Sequence, residues 1–232
     1  MIASSRARFI VAAALAAACS SERREAAPEP PAAVPAAVSA APADTTPAVV
    51  FVGTSLTAGF GLPDPSLAYP ALIQHRLDSL GLGYRAVNAG VSGETSAGAL
   101  RRIDWVLAQN RVAVLVLETG ANDGLRGQDP DSTRANIQAI IDRARALSPP
   151  PRLVLAGMEA LPNLGSRYVE RFRAIYPELA RANEAALVPF LLAGVAGVDS
   201  LNQGDGIHPT PRGQQLVAAN VWAVLGPLLA GR

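Results

Sequence analysis

Five short apolar runs, separated by segments long enough for helices, constrain the fold of this chain more than any other feature. The runs are rich in Val, Leu and Ile and are flanked by Gly or polar residues, which is typical of buried strands. They cover residues 49–53, 84–88, 112–118, 153–157 and 187–190. Helices are predicted at 69–80, 96–109, 133–147, 167–183 and 211–229. This alternation predicts a three-layer α/β/α domain around a parallel sheet of about five strands.

The first 47 residues differ in composition from the rest of the chain. Arg6 and Arg8 precede an apolar stretch, 9–18, and small residues follow, which is typical of a secretory signal peptide over residues 1–18. Residues 19–47 are almost all Ala and Pro from residue 26 onward, a composition that favours an extended tether and cannot form a core. Residues 48–232 remain as one predicted domain.

The only cysteine, Cys19, follows the apolar leader directly. Its setting resembles the cleavage site of a bacterial lipoprotein signal, where the cysteine becomes lipidated, although Ala16 replaces the usual large aliphatic residue. We therefore expect an exported, periplasmic protein anchored through Cys19. The serines at positions 20 and 21 lack the aspartate that favours inner-membrane retention, which points to the outer membrane. The alternative is an ordinary signal peptide with an incidental cysteine.

The charge composition excludes several classes of protein. Lys and Arg total 20 against 19 Asp and Glu, so the chain offers no electrostatic basis for binding nucleic acid. Every basic residue is arginine. The absence of lysine excludes Schiff-base enzymes, Walker-type phosphate loops and Ser-Lys dyads.

Candidate functional residues follow the predicted strands, where ligands bind in sheets of this kind. Ser55 follows the first strand, Gly93 the second and Asn122 the third, while Asp205 and His208 precede the last helix. Serine becomes an effective nucleophile when an imidazole accepts its proton and a carboxylate orients that imidazole. Asn122 and the backbone N–H groups of Ser55 and Gly93 could donate to an oxyanion.

Each candidate also has an ordinary structural interpretation. Ser55 could be a turn or helix-cap residue, Asn122 a turn residue, and Asp205 part of an Asp-Gly turn that happens to carry a histidine. The segment also lacks the Gly-x-Ser-x-Gly elbow, because Thr57 replaces the second glycine. The only other histidine, His75, is predicted on a solvated helix face.

Four ordered segments resemble the blocks of the GDSL/SGNH hydrolase superfamily: Gly-Thr-Ser-Leu at 53–56, Ser-Gly-Glu-Thr at 92–95, Gly-Ala-Asn-Asp at 120–123 and Asp-Gly-Ile-His-Pro at 205–209. Residues 120–127 and 161–168 are more closely similar to the bacterial multifunctional arylesterase/acyl-thioesterase/lysophospholipase group. The resemblance implies a flavodoxin-like sheet. Two departures stand out, since Thr54 replaces the aspartate of the family name and Ala121 replaces a frequent glycine.

The resemblance implies a serine esterase that needs no metal or cofactor. Ser55 is the implied nucleophile, His208 the base and Asp205 its orienter, while Ser55, Gly93 and Asn122 form the oxyanion hole. The expected substrates are small acyl esters, including aryl esters, lysophospholipids and thioesters, and we expect a monomer. The alternatives are a carbohydrate O-deacetylase of the same superfamily and a non-catalytic, ligand-binding surface lipoprotein.

Overall fold

The computed structural model describes residues 45–231. The predicted signal peptide, Cys19 and the tether up to residue 44 lie outside the described residues, so they remain predictions. The strands are β1 (Ala48–Gly53), β2 (Arg85–Gly90), β3 (Val112–Leu117), β4 (Arg152–Ala156) and β5 (Ala186–Val188). The α-helices are α1 (Ser55–Ala58), α2 (Tyr69–Ser79), α3 (Ser96–Ala108), α4 (Ala121–Leu125), α5 (Pro130–Arg145), α6 (Ser166–Ala182) and α7 (Pro211–Ala230).

All five strands are parallel, in the order β2-β1-β3-β4-β5. This is the flavodoxin-like order, which confirms the predicted fold. Phe51 of β1 pairs in register with Asn88 on one side and Val116 on the other. Every residue of β1 is buried, as expected for an inner strand covered on both faces, whereas the edge strand β2 is only partly buried.

The helices cover the two faces of the sheet. Helix α2 packs against α7, while α3 packs against α5 and α5 against α6. Side-chain caps fix several helix starts: Thr95 accepts from the Gly98 N–H, and Thr210 accepts from the Gly213 N–H. No helix within residues 45–231 combines the length and apolarity that crossing a membrane requires.

The structure corrects several predicted boundaries and adds two helices. Strand β5 ends at Val188, two residues before the predicted end, and α5 begins earlier, at Pro130, because Asp129 caps it and proline suits a first turn. Helices α1 and α4, which have 4 and 5 residues, were not predicted from the sequence. Helices this short show no apolar periodicity.

Two glycines let α1 lie directly against the carboxyl ends of β1 and β2. A Cβ at Gly90 would lie 2.3 Å from the backbone nitrogen of Ala58, and one at Gly53 would lie 2.0 Å from the Thr57 hydroxyl. Neither position has room for a side chain. The turn that carries Ser55 is therefore pressed against the end of the sheet.

Candidate active site

The residues predicted from sequence converge at the carboxyl end of the sheet. Ser55 is the first residue of α1 and Asn122 lies in α4, while Gly93 lies in the turn after β2. Ser55, Gly93, Asn122 and His208 all line one cavity of about 500 Å³. Asp205 lies just behind His208 in the loop that precedes α7. The fold thus brings together five residues that are spread over more than 150 positions of the sequence.

A continuous chain of hydrogen bonds joins the serine to the carboxylate. His208 Nε2 lies 2.8 Å from Ser55 Oγ, and His208 Nδ1 lies 2.6 Å from Asp205 Oδ2. With Nδ1 donating to the carboxylate, Nε2 is left as the acceptor for the serine proton. This arrangement can activate a serine hydroxyl for attack on a carbonyl carbon.

The loop itself holds Asp205 as an anion. Its Oδ1 accepts hydrogen bonds from the backbone N–H groups of Ile207 and His208, both at 3.0 Å. The His208 N–H, then the imidazole, then the Ile207 N–H lower the pKa of Asp205 to about 2. The carboxylate therefore stays ionised at any pH near neutrality and can orient the imidazole without taking its proton.

Phe60 and Gln203 support the imidazole, and neither was predicted from the sequence. The Phe60 ring lies 4.7 Å from the His208 ring, centroid to centroid, and lines the cavity. The Gln203 amide donates to the carbonyl oxygens of Phe60 and Pro209, at 2.8 and 3.0 Å. Gln203 thereby ties the loop after α1 to the loop that carries His208.

The Asn122 amide, which lines the same cavity, is oriented by the backbone. Its Nδ2 donates to the Glu94 carbonyl oxygen at 2.9 Å, which leaves the second amide hydrogen for another acceptor. Gly93 has a φ of 77°, a value that favours glycine, and its carbonyl accepts from Arg126 at 3.0 Å. Ser55 begins α1, so its N–H has no intrahelical partner. The arrangement can bind an oxyanion.

The buried carboxylate of Asp123 fixes the helix that carries Asn122. Asp123 accepts from the Ser96 hydroxyl at 2.5 Å and from the Ser96 N–H at 2.9 Å. These bonds tie α4 to the start of α3. An Asp-Gly pair is typical of a plain turn, but at Asp123 and Gly124 the carboxylate instead anchors the helix beside the cavity.

A second buried carboxylate, Glu118, lies behind the serine and was missed by the sequence analysis. It accepts from the Thr54 N–H at 2.7 Å, from the Thr57 hydroxyl at 2.8 Å, and from the Thr54 hydroxyl at 3.0 and 3.1 Å. The Thr57 hydroxyl also shares a 2.7 Å hydrogen bond with the hydroxyl of Tyr69. Burial raises the pKa of Glu118 to about 7, although these hydrogen bonds to the carboxylate lower it.

Two other residues were singled out in the sequence, His75 and Cys19. His75 is exposed on α2, as expected for a solvated helix face. Cys19 lies outside the described residues. Among residues 45–231, no three His, Cys, Asp or Glu side chains form a cluster that could hold a metal ion.

Comparison with known proteins identifies the family. The GDSL-like lipase/acylhydrolase family matches residues 51–216. The chain belongs to that family. Esterase TesA of Pseudomonas aeruginosa is 44% identical over 181 residues, which cover 78% of this chain and 89% of that protein. Thioesterase 1/protease 1/lysophospholipase L1 of Escherichia coli is 36% identical over 190 residues, which cover 82% of this chain and 87% of that protein.

A crystal structure of TesA has the same fold. It matches with a TM-score of 0.74 and 42% identity, over 78% of this chain and 99% of that one. Against this GDSL-like family, Thr54 remains the clearest departure. Its hydroxyl lies 3.5 Å from the Leu56 N–H, as the cap of α1, and also contacts Glu118.

The raised pKa of Glu118 makes stability depend on pH. Between its ordinary value of 4.5 and about 7, folded Glu118 holds a proton that the unfolded chain has released, so the free energy of unfolding falls as pH rises. Glu118→Gln lacks this titration. We expect its free energy of unfolding, relative to wild type, to increase by up to about 1.4 kcal/mol per pH unit over that window.

Urea unfolding at pH 5, 6, 7 and 8 measures this difference for the two proteins. If the free energy of unfolding of Glu118→Gln relative to wild type stays constant, or decreases as pH rises, Glu118 is ionised over this whole pH range.

Proposed function

We propose that this protein is a serine esterase that hydrolyses acyl esters through an acyl-enzyme. In this proposal Ser55 is the nucleophile, His208 the general base and Asp205 the residue that orients His208. The observation that carries the proposal is the hydrogen-bonded chain from Ser55 through His208 to Asp205 at the wall of the cavity. Membership of an acylhydrolase family supports the same reaction.

The first half of the reaction transfers the acyl group to the serine. Ser55 Oγ attacks the carbonyl carbon while its proton passes to His208 Nε2, and the Ser55 and Gly93 N–H groups and the Asn122 amide stabilise the oxyanion. The C–O bond to the alcohol then breaks, and the imidazolium gives that proton to the leaving oxygen. Water then attacks the acyl carbonyl carbon while His208 Nε2 accepts its proton. That proton passes to Ser55 Oγ as the acyl–oxygen bond breaks, which releases the carboxylic acid and free Ser55.

The lining of the cavity favours an apolar acyl chain. Large apolar side chains form much of its wall: Leu125, Met158, Leu161, Phe190, Leu192 and Ile207. Burying methylene groups against such a wall contributes about 0.8 kcal/mol for each group. The names of the relatives, an esterase and a thioesterase/lysophospholipase, support acyl esters as the substrate class.

This apolar lining favours an acyl esterase over a carbohydrate O-deacetylase. An acetyl group would leave most of the apolar wall in contact with water. We expect kcat/KM for p-nitrophenyl esters to rise about tenfold or more from acetate to hexanoate, because each added methylene gains contact with that wall. An acetate optimum, together with release of acetate from an acetylated polysaccharide, would favour the deacetylase instead.

Mutation of the proposed machinery tests the reaction itself. We expect Ser55→Ala and His208→Ala each to lower kcat by about a thousandfold or more, because these groups act as a unit. Asn122→Ala should lower kcat about a hundredfold with little change in KM, since an oxyanion donor acts mainly in the transition state. His75→Ala, on the exposed face of α2, is the control.

Steady-state kinetics with p-nitrophenyl butyrate measure all four variants. A Ser55→Ala or His208→Ala protein that keeps a tenth of the wild-type rate would refute the assignment. A severe loss in His75→Ala would place the site elsewhere.

The proposal extends to location and assembly, on sequence grounds. The leader and Cys19 support an exported enzyme on the periplasmic face of the outer membrane, where lysophospholipids or other membrane-derived esters would be substrates. Cytosolic acyl-CoA would not reach it. All five proposed functional residues come from a single chain, so the reaction needs no second subunit. The near-neutral charge gives no electrostatic basis for binding nucleic acid.

Anchoring is tested with Cys19→Ala. We expect the wild-type protein in the membrane fraction with the added mass of its acyl chains, because two or more chains suffice for stable anchoring. Cys19→Ala should be soluble and equally active per molecule on p-nitrophenyl butyrate. Fractionation and intact mass decide it, and a soluble wild type without acyl mass would contradict lipidation.

A further inference from the structure

The buried carboxylate of Glu118 has no step in the proposed reaction. Its side chain is 0% exposed and lies immediately after β3. No basic side chain among the described residues forms an ion pair with it. A carboxyl group in such a place costs stability unless hydrogen bonds satisfy it.

Glu118 receives all of its side-chain hydrogen bonds from the segment that carries the serine. Thr54 immediately precedes Ser55, and both its N–H and its hydroxyl donate to Glu118. Thr57, two residues after the serine, donates through its hydroxyl. The two threonines lie on either side of Ser55 in the sequence, so one carboxylate accepts hydrogen bonds from the turn both before and after the nucleophile.

We propose that Glu118 is a positioning residue that holds the Thr54–Thr57 turn so that Ser55 Oγ stays within hydrogen-bond distance of His208. Thr54 supplies the uncharged hydroxyl that this contact with Glu118 requires. The inference rests on the proposed function of Ser55. It concerns only the support of the nucleophile, since neither Glu118 nor Thr54 touches the reacting atoms in this account.

The replacement of the family aspartate explains why the threonine matters. An aspartate at position 54 would bring a second carboxylate to the same buried place, and two such groups in contact cannot both be ionised. The Thr54 hydroxyl carries no charge and can donate to an ionised Glu118 or accept from a protonated one. The Thr54 hydroxyl can therefore contact Glu118 in either protonation state, whereas the Thr54 N–H and the Thr57 hydroxyl need an acceptor there.

Further hydrogen bonds connect the turn to the rest of the domain. The Thr57 hydroxyl reaches Tyr69 of α2, and the Thr57 carbonyl accepts from Asn88 of β2 at 2.8 Å. The Tyr69 N–H donates to Gln214 of α7 at 2.9 Å. Strand β2 and two helices are thus linked to the serine turn, and Glu118 joins this network through Thr57.

The test compares substitutions that change one or two groups each. Thr54→Val removes the hydroxyl and keeps the branched shape, while Thr54→Ser restores the hydroxyl. Glu118→Gln removes the charge and one acceptor. Thr119→Val is the matched control, because within the described part of the chain the Thr119 hydroxyl has no hydrogen-bond partner although the residue is buried beside Glu118.

We expect Thr54→Val and Glu118→Gln to lower kcat for p-nitrophenyl butyrate about ten- to a hundredfold, because a small misplacement of the nucleophile is costly. KM should change by less than about twofold, since the apolar side chains that form the acyl wall are unchanged. Labelling of Ser55 by a fluorophosphonate should slow by a similar factor. Thr54→Ser should recover activity to within about threefold of wild type, and Thr119→Val should match wild type.

Thermal unfolding of each variant separates positioning from loss of fold. Lowered kcat in folded Thr54→Val, with recovery in Thr54→Ser, supports the role. Unchanged kcat in folded Thr54→Val and Glu118→Gln would overturn it, as would equal losses in Thr54→Val and Thr119→Val. A wild-type protein inert toward both the ester and the fluorophosphonate would instead refute the proposed function, which is a distinguishable result.

Discussion

A hydrogen bond of 2.8 Å between His208 and Ser55 spans 153 positions of the sequence, and the chemistry proposed for this protein depends on it. It forms only if the turn after β1 and the loop before α7 reach the same point. Gly53 and Gly90 let the serine turn lie against the sheet, and Gln203 links the loop after α1 to the His208 loop.

Two of the carboxylates at the site, Asp205 and Glu118, lie in different surroundings. Asp205 is exposed and receives backbone N–H groups, so its pKa falls to about 2 and it stays an anion beside the imidazole. Glu118 is buried behind the serine, and burial raises its pKa to about 7. The first suits the orientation of a base, and the second suits a contact that holds the turn by hydrogen bonds to neutral threonines.

Much of this site could be predicted because position along a parallel sheet is readable from sequence. Ser55, Gly93 and Asn122 follow apolar runs, and Asp205 with His208 precedes a helical pattern, so the fold alone brings them together. Glu118 could not be found in this way. It ends an apolar run, and its role comes from contacts with residues 64 and 61 positions away, which no local pattern records. Phe60 was missed for the same reason.

The most direct test of the account is to find which atom a fluorophosphonate modifies in the intact protein. Two serines, Ser55 and Ser92, line the cavity, and only Ser55 is hydrogen-bonded to the imidazole. The account predicts a single adduct, mapped to Ser55 by peptide mass spectrometry and absent from His208→Ala under the same conditions. An adduct on Ser92, or one that forms equally fast without His208, would contradict it.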